Sequence, residues 1–264
     1  MSVVDGAQRS RIEDMSIAHD FTAAYLKRSP STPDPQSVPA RLAAAAAEVT
    51  GINGVGLSVF DDQGFAVPIG ANSAEAVLAE RLEFTVGQGP SYDAHRAHRL
   101  VVATEPVIAA SWPGYHDLLL TRTSFRSVVA LPLSGPLEWM ALISLLFHDP
   151  FAAVHAPLAD VSVLCRYITA ALIEADVLDD TGDMSAQLGV ETDIGPVWLS
   201  GPSSKVRNQV LAAVGILARH LGISTADGLK LLKAHAYGQH STTDQVAAAL
   251  LAGDIAMTAF DLDT

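Results

Sequence analysis

Apolar residues recur at helical spacing at Ile12, Met15, Ile17, Ala18, Phe21 and Tyr25, which predicts a helix over 9–27. Pro30, Pro33 and Pro35 end it, because proline cannot continue a helix. A second, alanine-rich helix follows over 38–49 and stops before Gly51. The period then drops to two: Gly54, Gly56 and Ser58 alternate with Val55, Leu57 and Val59. Asp61, Asp62, Gln63 and Gly64 form a hairpin-turn signal, and 65–69 is the returning strand. A short helix is expected over 74–81, a short strand over 100–103, and two strong strands over 127–133 and 140–147. A long apolar-periodic helix over 151–178 closes this part. Helix, hairpin, middle helices, hairpin and closing helix together describe an α+β fold: a mainly antiparallel sheet with helices packed on it.

The remaining pattern is helical throughout. Val210, Ala213, Val214, Leu217 and Leu221 form one stripe of a helix over 206–221, and Gly222 suits its stop. Ser224 with Asp227 opens the next helix, which Gly238 is expected to end after Tyr237. Ser241 with Asp244 repeats the start signal for a third helix over 242–260. Three short helices cannot each bury a stripe alone, so a three-helix bundle is expected. The predicted organisation is an N-terminal helix and proline-rich linker (1–37), an α+β domain (38–178), a linker (179–203) and a helical C-terminal domain (204–264).

Charge changes the picture in one respect. The chain carries a net charge of -13, which argues against a general electrostatic grip on nucleic acid by the whole molecule. In the tail, Lys205, Arg207, Arg219, Lys230 and Lys233 balance Asp227, Asp244, Asp254, Asp261 and Asp263, so the excess lies in residues 1–200. A neutral tail on an acidic body hints at two different jobs. The lone cysteine, Cys165, precludes an intrachain disulfide and fits a reducing compartment. No signal-peptide pattern opens the chain and the longest apolar run, 139–147, is too short for a membrane span. A cytoplasmic location without membrane attachment is the expectation.

Chemistry-bearing motifs are scarce. The sequence holds no glycine-rich phosphate loop, no nucleophile elbow, no paired-cysteine metal motif and no zinc-protease helix. No enzymatic role and no cofactor are expected. His95 and His98 can share a metal on a helix, but further ligands cannot be named, and a solvated helix face with Arg96 and Arg99 is the simpler reading. Cys165, among Val161, Leu164 and Ile168, reads as a buried inert thiol. Gly87, Gln88, Gly89 and Pro90 fix a sharp turn ahead of a helix start at Ser91. It is either a structural turn or the lip of a small-molecule pocket formed by Gly87, Gln88, Gly89 and Ser91.

The stretch from Phe84 through this turn to Ala94, with Trp112-Pro113 and the strand from Phe125 to Leu133, resembles the GAF domain of bacterial GAF-ANTAR regulators. Gln88 stands where that family usually has an acid, and Ser91 where it has a cysteine. The tail resembles the three-helix ANTAR RNA-binding domain through Ala213 and Gly215, Leu229 to Tyr237, and Val246-Ala247. It departs at Val214, where a lysine is common, at Gly228, where alanine is usual, and at Ser241-Thr242, where a basic pair is common. The resemblance implies transcription antitermination by binding paired RNA stem-loops, with DNA not involved. The RNA-binding candidates it marks are Arg219, Lys230, Lys233, His235 and Tyr237, with Lys205 and Arg207 near the first helix start. Tyr237 either stacks a base or seals the bundle, and the lysines either contact phosphate or line a solvated face.

Two other readings stay open: an interaction protein whose degenerate tail only docks or dimerises, and a small-molecule sensor without an RNA step. A homodimer is expected, since the first and the long closing helix carry more apolar surface than one small sheet needs.

Overall fold

The computed structural model describes residues 3–30, 34–60, 66–180 and 202–260. The expected turn at Asp61, Asp62, Gln63 and Gly64 and most of the linker, including Trp198, lie outside them. Helices α1 (Val3–Lys27) and α2 (Val38–Thr50) precede the hairpin pair β1 (Gly54–Phe60) and β2 (Ala66–Ala71). Next come α3 (Ala74–Val86), α4 (Pro90–Ala97), β3 (Val101–Ala103), α5 (Glu105–Ser111) and α6 (Pro113–Arg122). β4 (Ser127–Pro132), β5 (Ala141–Phe147) and α7 (Leu158–Asp180) complete the α+β part. The tail is α8 (Pro202–Leu221), α9 (Thr225–Gly238) and α10 (Thr243–Ala252).

The five strands run in the order β2-β1-β5-β4-β3 with every neighbour antiparallel. Strand alternation divides the side chains between two helical layers. Val55, Leu57 and Val59 of β1 and Ile143 and Leu145 of β5 pack with Leu42, Ala45 and Ala46 of α2 and Leu164 and Ile168 of α7. On the other face, Leu146 and Val128 join Leu82, Ile108, Tyr115 and Leu118 of the middle helices. The small residues Gly54, Gly56 and Ser58 face this second layer. A Cβ on Gly54 would stand 2.6 Å from the Phe125 ring, and one on Gly56 2.6 Å from the Glu80 carboxylate. The glycine-valine alternation of β1 is therefore a cradle for two large side chains above it.

The antiparallel sheet with packed helices and the C-terminal helical bundle match the fold class expected from the sequence. Several bounds differ for local reasons. The long closing helix begins at Leu158 rather than at 151. Pro157 forces Ala156 into extended backbone (ψ 140°), and the preceding turn is 3-10 over Ala152–His155. The helix expected over 74–81 continues to Val86, where Gly87 caps it in the left-handed region (φ 74°). Helices α5 and α6, which the hydrophobic pattern did not delimit, each start with a proline in the first turn.

In the tail, Gly222 (φ 65°) stops α8 as expected, and the Ser224 hydroxyl accepts from the Asp227 amide at the start of α9. Gly238 instead remains helical, and the chain turns at His240 (φ 49°). The third helix is capped not by Ser241 with Asp244 but by Thr242 with Gln245. It ends at Ala252, not 260, because Gly253 takes a left-handed conformation (φ 83°). The apolar residues beyond it fold back, and Phe260 is buried against the bundle. Gly228 has a packing reason. An alanine there would bring its Cβ to 3.2 Å from the Val214 carbonyl, so glycine lets α9 lie close on α8.

Candidate functional site at the interface with the tail

Helix α3 is buried on nearly its whole circumference, and each stripe has a different partner. With about 100° between successive residues, Ala76, Ala79, Glu80 and Glu83 share one stripe toward the sheet. Leu78, Leu82 and Val86 turn toward the other middle helices. Val77, Arg81, Phe84 and Thr85 turn toward the tail. This explains why the hydrophobic pattern marked only the first half of the helix.

The sheet-facing stripe holds two buried carboxyls, Glu80 at 5% and Glu83 at 3% exposure. Glu80 is held by the Ser58 hydroxyl of β1, with Ser144 of β5 as a second hydrogen-bond donor. Glu83 accepts from the Ser91 amide at 2.7 Å and the Ser91 hydroxyl at 2.8 Å. The Ser91 and Ser144 hydroxyls are 3.2 Å apart, which closes a continuous network across β1, β5, α3 and α4. Burial raises the affinity of both acids for a proton, and the neighbouring Glu80 raises that of Glu83 further, to a pKa of about 8. The wholly buried Tyr115 hydroxyl is likewise pushed up, by burial first and by Glu83 and Glu80 second.

The four residues of the expected pocket lip divide between two environments. Gly89 and Ser91 face inward onto Glu83, and a Cβ on Gly89 would stand 2.3 Å from the Glu83 carboxylate oxygen. Gly87 and Gln88 face the tail. A Cβ on Gly87 would be 3.4 Å from the Lys233 ammonium, and Gln88 lines a recess with Gly114, Lys230, Lys233 and Tyr237. Ser91, expected at a pocket lip, is buried at 1% exposure with Glu83 as its partner, which the sequence did not indicate. Glu80 and Glu83 were missed, although each follows an apolar residue by four positions (Ala76 and Ala79) and so falls on the buried stripe.

The tail is fastened to α3 by specific contacts. Arg81 pairs with Asp244 at 3.0 Å. The Thr243 amide donates to the Thr85 hydroxyl at 2.9 Å, and the two hydroxyls lie 3.1 Å apart, all buried. The Lys233 ammonium sits 4.2 Å from the centroid of the Phe84 ring, a cation-π contact. His240 approaches Asp117 of α6 at 3.8 Å.

The tail's candidate RNA-binding residues therefore stand in different surroundings. Lys233 and Tyr237 lie at the interface with the sheet domain. Lys230 is exposed and bonded to Asp227 at 2.9 Å. Arg219 is exposed near the end of α8. His235 packs on Phe260 with ring centroids 4.6 Å apart, on the bundle side of α9. Lys205 and Arg207 fall within α8, but their side chains lie outside the described residues.

Cys165 is buried and its thiol is pushed up to about 12 by that burial, as an inert core thiol requires. Arg96, His98 and Arg99 are exposed, as a solvated face requires, while His95 stacks on Phe60 at 3.9 Å and His98 meets the exposed Trp139 ring at 4.2 Å. Among the described residues no group of three His, Cys, Asp or Glu side chains could hold a metal ion. Among them, too, no single helix is long and apolar enough to cross a membrane.

No protein-family model matches the chain, and no curated protein matches it. Solved structures do. The GAF domain of a phosphoenolpyruvate-protein phosphotransferase from Coxiella burnetii is 12% identical with a TM-score of 0.44, covering 66% of this chain and 98% of that one. The phycocyanobilin-bound GAF domain of a cyanobacterial phytochrome is 13% identical with a TM-score of 0.40, covering 61% of this chain and 96% of that one. A free methionine-R-sulfoxide reductase from Neisseria meningitidis, in complex with its substrate, is 13% identical with a TM-score of 0.39, covering 62% and 91%. The likeness is partial, and none of these neighbours assigns a ligand or an activity to this chain.

Proposed function

We propose that this chain is a cytoplasmic, non-enzymatic regulator in which a GAF-like domain governs an ANTAR-like RNA-binding tail, acting by transcription antitermination. The observation that carries this reading is the shared interface: Lys233 and Tyr237 of α9 meet Phe84 and the Gly87-Gln88 turn of the sheet domain. A cation and an aromatic ring four residues apart on one helix face are suited to a phosphate and an unstacked base of a hairpin loop. The same two side chains face Phe84 and the Gly87-Gln88 turn, so RNA and the sheet domain would compete for one surface of α9. Lys230 extends that face into solvent.

A labelled RNA with two tandem stem-loops, titrated with the full-length protein across a salt series, tests the reading. Specific binding is expected to weaken with salt. Replacing Lys230 and Lys233 by Ala is expected to weaken it uniformly and to lower the salt slope by about 1 to 2. Equal binding to a scrambled RNA, or no binding at low salt, would overturn the RNA step and leave the tail as a docking element.

The reading includes a homodimer. Met15 and Leu26 of α1 and Tyr167 and Ile173 of α7 leave apolar surface exposed on the helical layer away from the tail. Two tails on one dimer would engage paired loops with a gain in avidity. Light scattering at micromolar concentration is expected to give twice the 27.7 kDa chain mass; a monomer mass would refute the dimer.

A further inference from the structure

Where α8, α9 and α10 meet β2 and α3, the two parts of the chain border a partly open crevice of about 110 Å³. Val67 of β2 and Val77 and Phe84 of α3 form one wall, and Val210 and Leu211 of α8 and Leu229 of α9 the other. We infer that this crevice is a binding site for a small, uncharged, apolar molecule about the size of a single aromatic ring.

Three observations fix that chemical class. The first is size. Protein interiors leave few voids larger than a water molecule, and an apolar cavity of roughly 150 Å³ stays dry and takes benzene. The second is charge. The charged residues that line the crevice are already engaged: Arg81 pairs with Asp244 at 3.0 Å, and the Glu80 carboxyl is turned to Ser58. A charged ligand would have to break one of these partnerships, whereas an uncharged one leaves both intact. The third is access. Leu211 lines the crevice yet is 56% exposed, so the crevice opens to solvent beside this side chain.

Because the walls come from both parts of the chain, a ligand here binds only the fastened arrangement and stabilises it by mass action. It therefore holds Thr243 on Thr85 and Lys233 on Phe84. This consequence for output rests on the RNA-binding reading above; the site itself does not.

The test uses the full-length protein without RNA, so a failure of the RNA reading cannot be confused with a failure of the site. Toluene and indole serve as uncharged probes and benzoate as the charged counterpart, followed by calorimetric titration and thermal unfolding. Saturable binding of toluene or indole is expected, with an upward shift in Tm and at least tenfold weaker binding of benzoate. Leu211→Trp, at a half-exposed position that tolerates a larger side chain, and Val77→Phe are each expected to fill the crevice and weaken the probes at least tenfold. Exchange of the Thr243 amide is expected to slow several-fold at saturating probe. Absence of saturable binding, benzoate binding as well as toluene, or unchanged affinity in a folded Leu211→Trp protein would overturn the site. Unaltered Thr243 exchange at saturation would overturn the fastening.

Discussion

Raising the pH from 5 to 9 is expected to weaken the folded state by about 4 kcal/mol through Glu83 alone, since one unit of pKa difference corresponds to ~1.4 kcal/mol. In the unfolded chain this acid titrates near 4.5, and in the fold near 8. Below the unfolded value both states carry the proton, and the fold has its full stability. Between the two values the unfolded chain has released the proton while the fold retains it, so stability declines steadily as pH rises. Above the folded value both states are ionised and the loss levels off. Glu80 is shifted in the same direction and is coupled to Glu83, so the two acids titrate as a pair. Urea unfolding at pH 5, 7 and 9 reads the effect directly. Glu83→Gln keeps an acceptor for Ser91 but has no proton to lose, so its stability is expected to vary much less over the same interval. A wild-type midpoint that rises or stays flat between pH 5 and 9 would show that these carboxyls are not proton-bearing in the fold.

Gly89→Ala is the substitution with the next largest effect, a destabilisation of about 2–3 kcal/mol, the upper part of the range for overpacked buried positions. The added Cβ would lie 2.3 Å from a Glu83 oxygen and 2.6 Å from its Cγ. Glu83 cannot swing away cheaply, because its carboxyl holds the Ser91 amide and hydroxyl in a buried setting. Gly87→Ala is a useful contrast. It sits at φ 74°, which L side chains rarely adopt, but its only close neighbour is the far end of the Lys233 side chain, 3.4 Å away. Its cost is expected to be about 1–2 kcal/mol, from backbone conformation rather than collision. A Gly89→Ala protein as stable as wild type in urea would mean that the carboxyl network is loose enough to repack.

The sequence disclosed the fold through its periods and its punctuation. The alternation of Gly54, Gly56 and Ser58 with Val55, Leu57 and Val59 announced a strand with one small-residue face, and Ser224 announced the start of α9. It disclosed less where an element is buried on several sides. Helix α3 has three partners, so it shows no single apolar stripe, and its acids read as surface residues until the sheet is placed beneath them. The interface with the tail was equally hidden. Thr85 and Thr243 are 158 positions apart and carry no motif, and only tertiary placement brings them within hydrogen-bond reach. Lys233 and Tyr237 were legible as neighbours on one face of α9. That this face meets the Gly87-Gln88 turn was not.

Helix α3 carries two sets of contacts on opposite sides. Its inward stripe ends on a pair of acids that share a serine network with the sheet, and its outward stripe ends on Arg81, Phe84 and Thr85, which grip the tail. Glu80 and Arg81 are adjacent, as are Glu83 and Phe84. Any rotation about the helix axis that moved the acids would carry the gripping side chains through the same angle. The helix works like a key with teeth on two sides: it cannot turn in one lock without turning in the other.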